Sequence, residues 1–315
     1  MNAIFEQIFQ VGFLAAIIRI ATPLTLATLG EMISERSGVL NLGIEGIMLI
    51  SAMTGFMGAY YGGNLWIGIL VAALTGAAFA ALHAMLTVML GVSQHVCGIG
   101  ITLLCTGLAY FFFRLSFTDS SHPATVQSFQ TISIPYLSDI PVLGPALFNQ
   151  FALTYLTVLL IPLISFVLYR TPWGLNVRMV GENPRAADAA GVSVMATRFW
   201  AVTLGGVLMG VAGAFLTMAQ FNTFTFGVIS GRGWIAIALV VFGRWDPWRC
   251  AGAALLFACV DALQLRLQAA AGISHVPYEV FLALPFVFTI LAMAVMSRDA
   301  AAPPALLRPF RKEER

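Results

Sequence analysis

Apolar residues fill this chain in runs of about twenty, separated by short polar islands. A hydrocarbon core of roughly 30 Å takes about 20 helical residues to cross. On that ruler the runs predict spanning helices near residues 11–30, 43–62, 65–90, 96–114, 150–169, 199–219, 250–270 and 279–297. A shorter apolar run at 233–243 follows a Phe-, Thr- and Gly-rich stretch at 221–231. Together these two pieces predict a ninth, interrupted crossing. A membrane β-barrel would instead alternate in segments of about ten residues. The expected fold is an all-α polytopic transmembrane helical bundle of about nine spans, within a range of roughly eight to ten.

The polar islands then set the orientation. The island at 170–199, RTPWGLNVRMVGENPRAADAAGVSVMATRF, holds Arg170, Arg178, Arg185 and Arg198 with Glu182 and Asp188. Basic residues collect in short cytoplasmic loops, so this loop is expected on the cytoplasmic side. Asn183-Pro184 reads as a helix start, because proline at the first helical position lacks an N–H that would be orphaned there anyway. The following Arg-Ala-Ala-Asp-Ala-Ala supplies helix formers, and Gly191 supplies the stop. The product is a helix of about two turns, roughly 10 Å long, lying outside the membrane and shaped to be gripped by another protein.

By the same rule, loops 31–42 and 244–249 and the tail from Arg298 belong inside. Loop 115–149 has no Lys or Arg and belongs outside. Its Ile-Ser-Ile-Pro stretch is either extended or part of a short plug or interfacial helix. Nine crossings satisfy all these assignments, with the N-terminus outside and the C-terminus inside. Residues 1–298 then form one transmembrane domain, and 299–315, with Pro303, Pro304 and a closing RKEER, read as a disordered cytoplasmic tail.

Residues 29–47, LGEMISERSGVLNLGIEGI, form a second unusual stretch, with Glu31, Glu35, Arg36, Asn41 and Glu45 among four glycines. Two readings are open. One is a cytoplasmic turn in which Glu31 or Glu35 pairs with Arg36. The other is a broken or re-entrant segment lining a cavity, the only setting where irregular backbone is tolerated at membrane depth. Glu45 needs Arg36, another helix or water, because an uncompensated carboxylate there costs a few kcal/mol. Residues 227–244, GVISGRGWIAIALVVFGR, are a loose counterpart in the second half. Paired interrupted segments hint at inverted repeats with a pathway between them. The pathway candidates are Glu31, Asn41 and Glu45, with Asn222 and Phe224 from an aromatic stretch that either stacks on a planar solute or anchors at the interface.

Single polar residues inside spans carry less. Arg19 contacts a partner subunit or snorkels. His83 is expected as a hydrogen-bonded core residue, since no second His stands one turn away to complete a metal site. Gln94-His95 reads as a cap or interfacial pair, and Asp261, Gln264 and Arg266 as a local charge group with a pathway role as the alternative. Gly205, Gly206, Gly210, Gly213 and Ala214 mark a helix packed closely on a neighbour.

Composition supports the class. Only 10% of the 315 residues are charged, against about 25% in soluble domains, and mean hydropathy is +0.89. A net charge of +2 with no basic stripe argues against nucleic acid. Four cysteines lie in apolar runs without CxxC or Cys/His spacing and read as small buried hydrophobes. No cleavable signal peptide is expected, for want of a basic n-region or an AxA site. Lys312 is the only lysine, so no Walker A motif exists. With no HExxH or GxSxG either, neither a cofactor nor an enzyme activity is expected.

Three blocks, LGEMISERSGVLNLGIEGIMLI (29–50), VGENPRAADAAGVSV (180–194) and GRGWIAIALVVFGRWDP (231–247), resemble bacterial ABC-importer permeases of the branched-chain amino acid, simple sugar and nucleoside group. The match looks closest to the shorter permease subunit of nucleoside-type systems. The resemblance implies import of a small polar solute across the bacterial inner membrane, a second related permease, a cytoplasmic ABC ATPase and an extracytoplasmic substrate-binding protein, with lipid around the bundle. It also places Glu182, Asn183, Pro184, Arg185, Asp188 and Gly191 in a coupling helix docked on the ATPase. The strict EAA–three residues–Gly spacing of another importer class is missing, since Asp-Ala-Ala runs directly into Gly191. A nucleoside or purine-type solute is expected first and a simple sugar next. The competing class is a stand-alone ion-coupled secondary transporter, for which Glu45 and Asp261 are the carboxylate candidates.

Overall fold

The computed structural model describes residues 11–117, 124–138, 140, 143–270 and 302–310, with scattered helical positions between 280 and 294. The elements in order are α1 (Val11–Arg36), α2 (Ile44–Gly62), α3 (Leu65–Ala84), α4 (Gln94–Ser116), β1 (Thr131–Ser133), α5 (Leu143–Leu147), β2 (Asn149–Phe151), α6 (Ala152–Arg170), α7 (Pro172–Glu182), α8 (Pro184–Ala189), α9 (Val194–Phe215), α10 (Arg232–Phe242) and α11 (Pro247–Ala270). Helices α3 and α9 each continue through a π-helical turn, Met85–Met89 and Leu216–Gln220. Among the described residues six helices are long and apolar enough to cross a membrane. The expected span at 279–297 lies largely outside the described residues.

Burial sorts these helices into layers. The apolar windows of α1 and α9 are 61% and 67% buried inside the protein, whereas those of α3, α4 and α6 are each 28% buried. The first two form the centre of the bundle and the other three turn Leu70, Leu103, Phe111, Leu159 and similar side chains outward, as a lipid-facing surface requires. Helix α2 is buried along most of its length, with Glu45 and two tyrosines diluting its apolar character. Helix α9 packs against α1, α2 and α3. The glycines permit this: a Cβ on Gly205 would sit 2.5 Å from the Gly30 carbonyl oxygen, and the converse distance is also 2.5 Å. The small residues expected to mark a tight interface therefore do so.

The loop after α4 caps one end. Thr131–Ser133 pairs antiparallel with Asn149–Phe151, so the extended reading holds there, and Leu143–Leu147 adds a single helical turn. Arg19 donates from Nε to Gln150 Oε1 at 3.2 Å and lies over the Phe151 ring at 4.9 Å, a partner within the chain that neither sequence alternative named. Val126 N and Thr223 Oγ1 donate to Asn222 O and Ala124 O, joining this cap to the loop after α9.

One expectation fails. Residues 302–310, expected as disordered tail, pack against the protein. Ala305 is 3% exposed, its N–H donates to Gly181 O at 3.0 Å, and Leu306 and Phe310 join apolar clusters. The apolar residues between the prolines and the RKEER run find a surface, and two consecutive prolines lower the entropy lost on docking. Residues 311–315 lie outside the described residues.

Candidate functional site: a junction of broken helices and the arginine-bearing end

Helix α1 ends at Arg36 and α2 begins only at Ile44. Between them the chain re-enters the bundle without regular structure, so its backbone groups need partners from elsewhere. They find them. Leu40 N donates to Gln94 Oε1 at 2.8 Å, and Gln94 Nε2 to Gly38 O at 3.4 Å. His83 Nε2 lies 3.1 Å from Leu40 O, Asn41 N donates to Glu31 Oε1 at 2.8 Å, and Thr102 Oγ1 to Leu42 O at 3.1 Å. Gln94 and His83 thus serve the irregular segment; His83 is the bonded core residue that the sequence predicts. No group of three or more metal-ligating side chains occurs among the described residues.

Of the two readings of this stretch, the turn in which Glu31 or Glu35 pairs with Arg36 is not the one formed. Glu35 Oε2 accepts from Trp245 Nε1 at 2.6 Å, while Arg36 donates to Trp245 O at 2.8 Å and reaches Tyr169 Oη at 3.4 Å. Arg244 and Trp245 both take positive φ, 51° and 55°, an unfavourable conformation for bulky residues that this turn adopts to bring the indole inward.

Glu45 meets the second broken element. Its two carboxylate oxygens accept from Gly231 N and Gly233 N, each at 2.8 Å. These are orphan donors at the start of α10, where the helix dipole also favours negative charge. Gly233 has to be glycine, since a Cβ there would stand 2.7 Å from Glu45 Cα. Helix α10 has 11 residues, about 16 Å, which is half a crossing. Half-buried Arg232 lies within electrostatic reach of Glu45 and Asp261 and donates from Nη1 to Ile229 O at 3.1 Å. Of the three alternatives for Glu45 (Arg36, another helix or water), the structure supplies another helix, α10.

A cavity of about 530 Å³ opens beside this junction, lined by Phe221, Phe226, Arg232, Phe257, Asp261 and Gln264 among others. The structure therefore joins Glu31 to Asn41 and Glu45 to α10. Asn222 and Phe224 sit on the loop after α9, tied to the cap through Asn222 O, with Phe224 buried against Phe113 at 4.7 Å between centroids. Arg232, which the sequence offers only as one residue of the counterpart stretch 227–244, is central here.

At the opposite end Arg36, Tyr169, Arg178, Arg198 and Trp245 converge, so the islands 31–42, 170–198 and 244–249 and the tail share one side of the molecule. The short helix appears as predicted. Asn183 caps α8 by accepting from Ala186 N at 3.1 Å, Pro184 begins it, and Gly191 ends it with φ 84°. Ala187 is buried against Val180 and Val194, while Glu182, Asn183 and Arg185 are exposed. Ahead of it stands a second amphipathic helix, α7, burying Gly174, Val177 and Val180. Thr171-Pro172 was its sequence signal, a capping side chain followed by proline at the first helical position.

Residues 13–293 match the family described as branched-chain amino acid transport system, permease component. The chain belongs to that family. Among its relatives, the guanosine ABC transporter permease NupQ of Bacillus subtilis is 35% identical over 94% of this chain and 95% of its own length. The nucleoside ABC transporter permease NupC of Lactococcus lactis is 36% identical over 90% and 92%. TsgC13 of Haloferax volcanii, named for glucose ABC transport, is 44% identical over 82% and 79%. A solved structure, described as the inward-facing conformation of a metal-chelate type ABC transporter, superposes with a TM-score of 0.51 at 15% identity, covering 94% of this chain and 90% of that one; it speaks for the fold alone. This family member is a multi-pass membrane subunit of an ABC transporter, with ATP hydrolysis on a separate partner.

Proposed function

We propose that this permease subunit imports a nucleoside or purine-type compound into the cytoplasm, in a complex with a second related permease, an ABC ATPase and an extracytoplasmic binding protein. The guanosine and nucleoside names of two relatives that align over nearly their whole length support the solute class. The observation that carries the mechanism is the exposed face of α8, held on a buried base at the end where the arginine islands meet. In this reading the arginine-bearing end is cytoplasmic, the bundle crosses about nine times, and Glu182, Asn183, Pro184, Arg185, Asp188 and Gly191 dock on the ATPase. ATP binding favours the closed ATPase pair, and the permease alternates through that differential affinity.

Of the pathway candidates, Glu45 acts at the junction beside the aromatic and polar cavity, with Arg232 as its charged neighbour and Asp261 on the far side of that arginine. Glu31 and Asn41, both fully buried, steady the re-entrant segment next to it, and Asn222 and Phe224 belong to the outer approach. A simple sugar is the second reading, favoured by the glucose-transport name of TsgC13.

Reconstitution of the full complex tests this. Substrate-loaded binding protein is expected to stimulate ATPase activity, and Asp188→Arg or Gly191→Trp to abolish the stimulation. Unchanged stimulation in both variants counts against the docking role. Competition by free nucleosides but not by sugars separates the two solute classes.

A further inference from the structure

Arg198 is the fifth residue of α9, just beyond the short helix, and is 2% exposed. Buried cations normally meet a carboxylate, but the hydrogen bonds here go to main-chain carbonyls. Nε donates to Ser37 O at 3.0 Å and Nη1 to Arg308 O at 3.0 Å, while Nη2 finds no partner among the described residues. A Cβ on Gly38, whose φ is 91°, would stand 2.8 Å from that same nitrogen and 3.1 Å from Ala305 O. The guanidinium thus reads the position of two backbones rather than the charge of a partner.

Both backbones lead somewhere. Ser37 begins the re-entrant segment, which runs through Asn41 to Glu45 and the start of α10. Arg308 belongs to the strap 302–310, which bonds to α7 through Ala305 and Gly181. Its Phe310 lies in the same small apolar cluster as Val180, Ala187 and Val194. That cluster includes the buried side of α8. The short helix, the start of α9, the strap and the entrance to the broken segment are therefore tied into one body, with Arg198 at its centre.

We propose that Arg198 and the strap 302–310 form a clasp that carries movement of α8 to the junction at Glu45, making Arg198 a positioning residue for ATP-coupled transport. This rests on the permease reading above. Arg198 does not touch the ATPase; it acts by keeping α8 and residues 37–41 moving together. Without the clasp α8 still meets the ATPase, but its displacement is absorbed locally.

The experiment compares wild type, Arg198→Ala, Arg198→Lys and a chain ending at residue 301, each in the assembled complex in proteoliposomes. ATP hydrolysis and accumulation of radiolabelled guanosine are measured together. Loss of charged-donor hydrogen bonds predicts that guanosine moved per ATP falls about ten-fold in Arg198→Ala and the truncated chain. Assembly and basal hydrolysis are expected to persist, and Arg198→Lys to restore part of the ratio. Amide exchange at residues 37–41 should rise in both defective variants but not at the β1–β2 cap. A clasp serving only stability would lower transport and hydrolysis in proportion to the complex recovered, leaving the ratio unchanged, and that result overturns the proposal. Should Arg198→Ala fail to assemble, the truncated chain decides by the same ratio. Wild-type complex that hydrolyses ATP without moving guanosine would instead count against the proposed solute class and leave the clasp to be read with the solute that is moved.

Discussion

Removing the Glu45 carboxylate is the sharpest perturbation of the junction. In Glu45→Ala, Gly231 N and Gly233 N lose acceptors that now stand 2.8 Å away. Each orphaned buried donor costs about 1–3 kcal/mol, so the pair amounts to roughly 2–6 kcal/mol. Arg232 also loses one of the two carboxylates acting on it and retains Asp261. Glu45→Gln keeps one carbonyl oxygen, satisfies one donor, and forfeits the charge at the helix start; about half of that loss is expected. Unfolding in mixed micelles, followed by the fluorescence of Trp234 and Trp245, reads the global cost. Amide exchange at residues 231–234 reads the local one. The order of stability should be wild type, then Gln, then Ala. Equal stability of all three, within about 0.5 kcal/mol, would refute the assignment of the carboxylate as the cap of α10.

Three other perturbations test separate parts of the fold. Gly205→Val drives a side chain into the Gly30 carbonyl and Ser34 Oγ; a loss of about 1–3 kcal/mol is expected as a lower melting temperature in detergent, with no change for Gly252→Val, whose Cβ position is open. Gln94→Leu strips partners from Leu40 N and Gly38 O and should cost roughly 2 kcal/mol or more, read as faster exchange confined to residues 37–41. Asn183→Ala removes the cap of α8, a loss of about 1 kcal/mol; exchange across 184–189 should rise while the melting temperature of the bundle stays put.

The long apolar helices were legible because crossing a membrane demands about twenty apolar residues in sequence, and that demand is local. So was α8, whose cap, proline and terminal glycine lie within nine residues, Asn183 to Gly191. The need of Glu45 for compensation was also visible, from the cost of its charge. Its partners were not, because Gly231 and Gly233 lie 186 and 188 residues away and a backbone N–H carries no sequence signature. The same distance hid the Glu35–Trp245 bond, 210 residues apart, and made Arg36 look like the natural mate of its neighbours. Two misses were avoidable. Thr171-Pro172 announces α7 as plainly as Asn183-Pro184 announces α8, and Ala-Leu-Leu between prolines in the tail is too apolar to favour solvent.

The central claim is that α8 meets an ATPase on the inner side of the membrane, and photo-crosslinking tests it most directly. A benzophenone amino acid replaces Arg185 in the assembled complex, with Tyr61 at the other end of α2 as control. The account predicts an adduct between position 185 and the ATPase whose yield changes when ATP is bound, and none from position 61. An ATPase adduct from position 61, or capture of the extracytoplasmic binding protein by position 185, would contradict it.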